Sequence, residues 1–260
     1  LNFVTPTEFV EIPSQGKYYK EGHPLCGVSS VEIKQMTAKE EDILTSQSLL
    51  KQGVAIDRFL QSVLVDKQIT TDSLLVGDKN AIIVAARCSG YGREYNSKIT
   101  CPNCYNVAEE SIDLFDASSI NQGHAGTESE IEGVTGPTAA GFYHITLPVT
   151  KAVFEVRLMT GREEKIFSKR VETRRKKRQA EAILTDQFKT FTVSINGVDI
   201  VRQVYSFIDN LPIRDSRFLR KTYEKLAPSL DLKHDYTCSE CGYSQEVEVP
   251  ITAQFFWPDS

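Results

Sequence analysis

Two matching cysteine pairs constrain the fold of this chain more than any other feature. In Cys101-Pro-Asn-Cys104 and Cys238-Ser-Glu-Cys241, two residues separate the cysteines, and at this spacing one short turn directs both thiolates at a single metal ion. We predict that Cys101, Cys104, Cys238 and Cys241 bind one structural Zn²⁺, which would join residues ~100 and ~240. Such binding is worth on the order of 10 kcal/mol, so neither half of the chain is expected to fold properly without the metal.

Other uses of the cysteines fit the pattern less well. A catalytic zinc keeps one coordination position open, whereas four thiolates close the site. A redox pair normally opens a helix, but β-like residues follow both pairs. Disulfides are disfavoured because paired CxxC motifs in a chain of this size are typical of metal binding in a reducing cytosol. His234 could replace one ligand but is interpreted as a surface histidine, and Cys26 and Cys88 are interpreted as buried apolar residues.

Composition narrows the class of protein. The chain has 260 residues, 40% hydrophobic and 25% charged, which is typical of one large globular domain or two small ones. No apolar run reaches the length of a membrane span, and the start resembles no signal peptide, although a processed leader stays open because the chain begins with Leu1. The net charge of −5 gives no general attraction to nucleic acid or anionic lipid. We expect no membrane partner and no small-molecule substrate.

Periodicity predicts an α+β fold, a mixed helical and β protein with a zinc-ribbon-like module made of two knuckles distant in sequence. Capping boxes at Thr37/Glu40 and Thr160/Glu163 mark two helix starts, and Asp78 is predicted to cap a third, nearly apolar helix that should be the most buried. The predicted strands are 9–12, 28–34, 144–147, 152–158 and 247–251. The predicted helices are 37–50, 55–64, 79–87, 161–185, 201–208 and 215–226.

The polar stretch 121–142 is the predicted boundary between two parts. Residues 1–120 would hold an N-terminal β segment, a helical region and the first knuckle. Residues 143–260 would hold a hairpin, a long basic helix, the second knuckle and an aromatic tail. We expect the aromatic residues of that tail, Phe255 to Trp257, to be buried.

The long helix carries a basic run, which consists of Arg174, Arg175, Lys176, Lys177 and Arg178. Three interpretations are open: a surface that follows nucleic-acid phosphates, a solvated face paired with acids of the same chain, and a contact with an acidic protein partner. Protein contact and solvated face rank above nucleic acid, because no aromatic residues suited to base stacking lie among the basic ones.

Motifs of enzymatic catalysis are absent in recognisable form. The sequence shows no phosphate loop, nucleophile elbow or His-Glu metal motif, and its four histidines are scattered. We therefore predict a protein that is not an enzyme.

A series of short segments resembles a known family. In order along the chain these are Ile12-Pro-Ser-Gln-Gly-Lys-Tyr-Tyr19, Arg87-Cys-Ser-Gly-Tyr-Gly92, the first knuckle, Cys238 to Gly242, and Phe255-Phe-Trp-Pro258. Their order resembles the baseplate hub proteins of contractile-tailed phages of the T-even type, including the related hub assembly proteins. The polar stretch and the extended basic helix depart from the family pattern, so retention in the finished particle stays open.

The resemblance implies a structural subunit or assembly factor that contacts other baseplate hub and tail proteins. It would be made in the host cytoplasm and placed in the virion tail baseplate. Partner contacts are expected at Gly16, Lys17, Tyr18 and Tyr19, and at the basic run. The alternative is a zinc-ribbon nucleic-acid-binding protein that uses the basic helix, and its binding would depend on salt.

Overall fold

Helices and short antiparallel sheets alternate along the chain in the computed structural model, which describes residues 4–114, 120–121, 131–230, 232–249, 251 and 253–256. The helices are α1 (Ala38–Thr45), α2 (Gln47–Gln52), α3 (Ala55–Val63), α4 (Val76–Tyr91), α5 (Gly161–Lys176), α6 (Ile183–Phe191), α7 (Val201–Asp209) and α8 (Ile213–Leu226), with a 3₁₀ helix at Ala253–Phe256. The strands are β1 (Thr7–Glu11), β2 (Ser30–Lys34), β3 (Glu94–Thr100), β4 (Val107–Asp113), β5 (Ile120–Asn121), β6 (Val134–Thr135), β7 (Tyr143–Thr146), β8 (Val153–Val156), β9 (Thr192–Ile195), β10 (Ser229–Leu230), β11 (Lys233–Thr237) and β12 (Ser244–Glu248). The prediction of a mixed helical and β protein is confirmed.

The largest sheet in the described residues has four strands in the order β6-β7-β8-β9. Four two-stranded pairs accompany it: β1 with β2, β3 with β4, β5 with β10, and β11 with β12. All of these pairs are antiparallel. The β5–β10 pair joins a strand at the start of the predicted boundary to one from after it.

One hydrophobic cluster, here called the main core, connects both parts of the chain. It contains Phe59 of α3 and Ile82 of α4 together with Phe154 of β8, Phe191 of α6 and Phe256 of the 3₁₀ helix. In its α4 section every residue from 77 to 87 except Asn80 is buried, which confirms the prediction of a buried helix. The two parts are therefore packed together by apolar contacts that do not involve the paired cysteines.

Two of the predicted helix boundaries are wrong in an informative way. The helix expected over 37–50 is split at Ser46, whose backbone is extended and whose side chain accepts a bond from the backbone N–H of Leu49. Helix α4 begins at Val76, so Asp78 lies inside the helix rather than at its cap. Its carboxylate instead binds the N-terminal segment, which the sequence pattern does not reveal.

The long basic helix is also shorter than predicted. It ends at Lys176 instead of residue 185, because Arg178 adopts a positive φ of 53° and the chain turns back into α6. The turn brings Arg174 against Asp186 of α6, where its Nε donates to the carboxylate at 2.6 Å. The capping box at its start is confirmed, since the N–H of Thr160 donates to Glu163 at 3.1 Å.

Part of the predicted boundary at 121–142 belongs to the fold. Residues 122–130 lie outside the described residues, but Ile131 and Val134 are buried in the main core, and Val134 begins β6. The division into 1–120 and 143–260 stays a prediction. Phe255 and Phe256 are buried as expected, whereas Trp257 lies outside the described residues. Among the described residues, no helix is both long and apolar enough to span a membrane.

Candidate metal centre

Two hairpins of the same design carry the four paired cysteines. The β3–β4 hairpin ends in the turn that holds the first pair, and the β11–β12 hairpin ends in the turn that holds the second. In the first turn the N–H of Cys101 donates to the carbonyl of Asn106 at 2.8 Å, and in the second the N–H of Cys238 donates to that of Tyr243 at 2.9 Å. The flanking strands therefore fix both turns in the same way. Here the two hairpins with their turns are called the cysteine module.

The turns also share a left-handed residue four positions after the first cysteine. The N–H of Tyr105 donates to the carbonyl of Cys101, and that of Gly242 to the carbonyl of Cys238, both at 2.9 Å. Tyr105 has a φ of 61° and Gly242 a φ of 70°. Glycine adopts this conformation at little cost, whereas a tyrosine is strained in it. The Gly242 position was identifiable from sequence, but its tyrosine equivalent was not.

The four sulfurs converge. The Sγ atoms of Cys101 and Cys241 lie 3.6 Å apart, as do those of Cys104 and Cys238, and all four lie within 4.8 Å of one another. Four thiolates placed tetrahedrally around zinc at about 2.3 Å would be separated by roughly 3.8 Å. The cysteines are free thiols, and a disulfide would need about 2.05 Å between sulfurs. This donor set and spacing fit a closed tetrathiolate zinc site.

The protein environment makes the thiols unequal. The backbone N–H of Cys241 lowers the pKa of Cys238 to about 6, and the side chain of Asn103 lowers the pKa of Cys241. At Cys104 the backbone of Asn106 lowers the pKa, but desolvation and the neighbouring sulfurs outweigh it and raise the value to about 12. A bound divalent cation favours the thiolate form of every ligand, because binding displaces the protons.

Little apolar surface supports the cysteine-bearing ends of these hairpins, whereas Tyr95 and Ile112 at the other end of the β3–β4 hairpin belong to the main core. Cys101 and Cys238 are buried beside Ile99 and Tyr236, and this small cluster is separate from the main core among the described residues. The second cysteine of each pair, Cys104 in the first and Cys241 in the second, is exposed. His234 is half-buried in β11 and lies outside the group of four cysteines. Metal binding is therefore the interaction best able to hold the two hairpin ends together.

Arg87 connects the start of β3 with the main core. Its side chain is almost fully buried, with Nε donating to the carbonyl of Phe255 at 3.1 Å, Nη1 to that of Gly92 at 2.7 Å and Nη2 to that of Glu94 at 3.2 Å. The guanidinium also lies 5.3 Å from the ring centre of Tyr95 and 5.4 Å from that of Phe255. Sequence reasoning missed this role, although an arginine at the end of an apolar helical run was a visible signal.

The N-terminal segment expected to bind partners is largely internal. Tyr19 is buried, its hydroxyl donates to Asp78 at 2.6 Å, and the same carboxylate accepts the N–H of Ser14 at 2.9 Å. Desolvation raises the pKa of both Tyr19 and Asp78. Gly16 is buried with a φ of 70°, and a Cβ there would lie 2.3 Å from the backbone N of Val28.

The expectation for this segment therefore needs correction. Gly16 and Tyr19 pack against the rest of the chain and do not present side chains to a partner. Lys17 is exposed and Tyr18 is half-buried, so for these two residues the contact stays a prediction. The burial expected of Cys26 is wrong as well, since it is exposed, and Cys88 is half-buried.

Most of the basic run is paired within the chain. The pairs are Arg174 with Asp186, Arg175 with Glu181 and Lys176 with Glu172. Lys177 and Arg178 are exposed, and no carboxylate among the described residues forms an ion pair with either. This pattern supports the interpretation of the basic run as a solvated face paired with acids of the same chain. Lys177 and Arg178 stay available for contact with a partner.

Comparisons with known proteins identify the family but no individual relative. No curated protein and no solved structure matches the chain. A family model described as T4 bacteriophage base plate protein matches residues 5–134, half of the chain, and the match includes the first cysteine pair. The chain belongs to the T4 bacteriophage base plate protein family.

Proposed function

We propose that this protein is a structural subunit or assembly factor of the phage baseplate hub, held rigid by one Zn²⁺ bound to Cys101, Cys104, Cys238 and Cys241. The observation that carries the metal proposal is the approach of all four Sγ atoms to within 4.8 Å of one another. The baseplate role follows from the family match. The hub assignment is supported by the order of short segments that the chain shares with hub proteins.

The metal would be structural rather than catalytic. Four thiolates complete a tetrahedral shell and leave no position for water or substrate. Binding would fix the β3–β4 hairpin to the β11–β12 hairpin, whose cysteines are up to 140 residues apart in sequence. A metal cross-link of this kind needs no disulfide, which suits a protein assembled in a reducing host cytoplasm.

Exposed side chains at the ends of these hairpins support a protein-binding role. Tyr105 is 79% exposed, Val107 57% and Tyr243 41%. Aromatic side chains of this kind are enriched where proteins contact one another. The neighbours would be other hub and tail proteins, met first in the host cytoplasm and then in the virion tail baseplate.

Nucleic-acid binding by the basic helix is the weaker candidate. Three of its five cations have acidic partners in the chain, and the net charge of −5 opposes approach to a polyanion. We propose no catalytic activity.

Elemental analysis and particle analysis test the two parts of the proposal separately. Protein purified without oxygen should contain one zinc per chain, and material without a metal would rule out the tetrathiolate site. Tagged protein should cross-link to central hub proteins in baseplates or in their assembly intermediates from infected cells. Its absence from both, or its presence only at the baseplate periphery, would contradict the hub role.

A further inference from the structure

A second row of cations lies along α8, away from the basic run. Arg214, Arg217, Lys221 and Lys225 are all exposed, and their spacing of three or four residues places them on one face of the helix. The row covers about three turns, roughly 16 Å. It therefore forms a continuous positive strip.

These four residues border a groove of 920 Å³. Phe218 and Thr222 of α8 also line the groove. The other lining residues come from earlier in the chain and are Ile131, Glu132 and Pro148. Phe218 is half-buried between the cations, so the groove has an apolar centre and a positive border. We call this surface the α8 groove.

The groove is held in shape by a buried carboxylate. Asp215 accepts the N–H of Val149 at 2.8 Å, the N–H of Thr150 at 2.8 Å and the hydroxyl of Thr150 at 2.6 Å. These bonds fix the start of α8 to the turn that supplies Pro148. Gly133 packs against Phe218, since a Cβ added at Gly133 would lie 3.5 Å from the phenyl ring. The walls are thus set before any partner binds.

In the described part of the chain none of the four cations forms a close ion pair, although Arg214 lies near enough to Asp215 for its charge to help lower the pKa of that carboxylate. Glu132 is the lining carboxylate, and the ion pair on α8 joins Arg220 to Glu224 instead. The basic run of α5 differs, because three of its five cations are paired. A row of exposed cations around an apolar centre is complementary to carboxylates placed around an apolar side chain.

We propose that the α8 groove binds an acidic segment of a neighbouring baseplate protein, with carboxylates on the cations and one apolar side chain against Phe218. The identity of the neighbour as a baseplate protein rests on the proposed function. A strip of about 16 Å accommodates roughly five extended residues. The occupant is therefore a short segment rather than a whole domain face.

The chemistry of the groove favours a peptide over a nucleic acid. Phe218 is the one aromatic side chain among the lining residues of the groove, so the groove offers no series of rings on which successive bases could stack. The strip is too short to follow a long phosphate backbone, and the net charge of −5 adds no attraction. The cations are also spread along the helix rather than converging on one point, which disfavours a single small anion.

Fluorescence anisotropy with a labelled peptide of alternating Glu and Leu, about eight residues long, tests the inference. Binding should weaken as salt rises, because the contacts are between exposed charges. The double change Arg217→Glu/Lys221→Glu should reduce the affinity at least ~tenfold. Lys177→Glu/Arg178→Glu on the α5 side is the matched control with the same charge change, and it should stay within about twofold.

Neutral substitution separates loss of binding from loss of folding. Arg217→Gln/Lys221→Gln should give an intermediate loss while zinc content and circular dichroism stay at wild-type values. Equal losses in the α5 control, or equal binding of a Lys/Leu peptide, would overturn the proposal. So would tighter binding of a single-stranded oligonucleotide of the same charge, or a dimer of this chain that Arg217→Glu/Lys221→Glu abolishes.

Particle analysis distinguishes failure of this inference from failure of the proposed function. If the wild-type protein is absent from baseplates and their intermediates, the proposed function fails whatever the peptide result. If Arg217→Glu/Lys221→Glu enters baseplates as efficiently as wild type, the inference fails and the proposed function stands. We expect this variant to enter at least ~tenfold less efficiently than the wild type.

Discussion

The main core and the cysteine module are held together by different forces. The main core buries aromatic and aliphatic side chains from both parts of the chain, each contributing about 1.5–3 kcal/mol on full burial. The small cluster of the module offers Ile99 and Tyr236 beside two cysteines, whereas zinc bound by the proposed site would contribute on the order of 10 kcal/mol. The metal would therefore fasten the hairpins to each other but would not be required for the rest of the fold. This replaces the expectation that both halves depend on the metal.

The largest effect should come from removing the metal. Chelation, or Cys104→Ser, should release the turns of the cysteine module, because its own apolar cluster is too small to hold them. Hydrogen exchange measured by mass spectrometry should accelerate at the ends of β3, β4, β11 and β12 that adjoin the cysteines, because Tyr95 and Ile112 fix the other end of the β3–β4 hairpin in the main core. Protection in α4 and β8 should stay within error, since these elements lie in the main core.

Cys26→Ser is the matched control, because Cys26 and Cys104 are both exposed thiols. It should leave zinc content and exchange unchanged. A loss of helical circular dichroism across the whole protein on chelation would show that the metal supports the main core as well, and the contrast between the two regions would then fail.

Acid should lower the stability of the part of the protein outside the cysteine module, and the group responsible should be Glu40. Desolvation acts to raise the pKa of this buried carboxylate, but bonds from Lys34, Ser62 and Thr37 outweigh it and lower the value to about 2. A group whose pKa is depressed by folding stabilises the protein above its unfolded pKa, here 4.5. That contribution should be lost as the pH falls from about 4.5 towards 2.

Glu40→Gln checks this assignment. At neutral pH it should destabilise the protein by about 1–3 kcal/mol, because a charge-assisted bond is lost and Lys34 keeps no partner at this site. Between pH 4.5 and 2 the variant should lose less stability than the wild type. Urea unfolding should be followed by helical circular dichroism, because this signal comes from the helices and not from the hairpins of the cysteine module. Parallel pH curves for the two proteins would refute the role of Glu40.

The smallest effects should distinguish the two turns of the module. Gly242→Ala should cost about 1 kcal/mol, purely from its left-handed backbone, since nothing lies within 4 Å of the added Cβ. Tyr105→Gly should stabilise the equivalent turn by about 0.5–1 kcal/mol, because it relieves the same strain. Competition with a chelator should show weaker zinc retention in the first variant and stronger retention in the second. Changes of the same sign would show that the two turns are not equivalent.

Local patterns in the sequence were sufficient to predict the cysteine pairs, but not the contacts that Asp78 makes with distant residues. Cysteine spacing is a local property, so the grouping of Cys101 with Cys104 and of Cys238 with Cys241 was predictable. Asp78 resembled a helix cap, but its bonds to Ser14 and Tyr19 depend on residues about 60 positions away.

The α8 groove illustrates the same limit. The basic spacing from Arg214 to Lys225 is visible in the sequence. The groove itself requires Pro148 and Ile131, which tertiary packing brings to the helix from another part of the chain. The early end of α5 likewise depends on the pairing of Arg174 with Asp186, a contact across a turn.

The position of Arg87 has a consequence for how the protein is made. Its Nε bonds to the carbonyl of Phe255, 168 residues further along the chain, and Cys101 likewise waits for Cys241, 140 residues later. A ribosome must therefore synthesise the chain past Phe255 before Arg87 gains this bond, and past Cys241 before the fourth thiol is available. Until then Cys101 and Cys104 have no second cysteine pair with which to complete a metal site, so synthesis of residues 238–255 allows the fold and the site to be completed together.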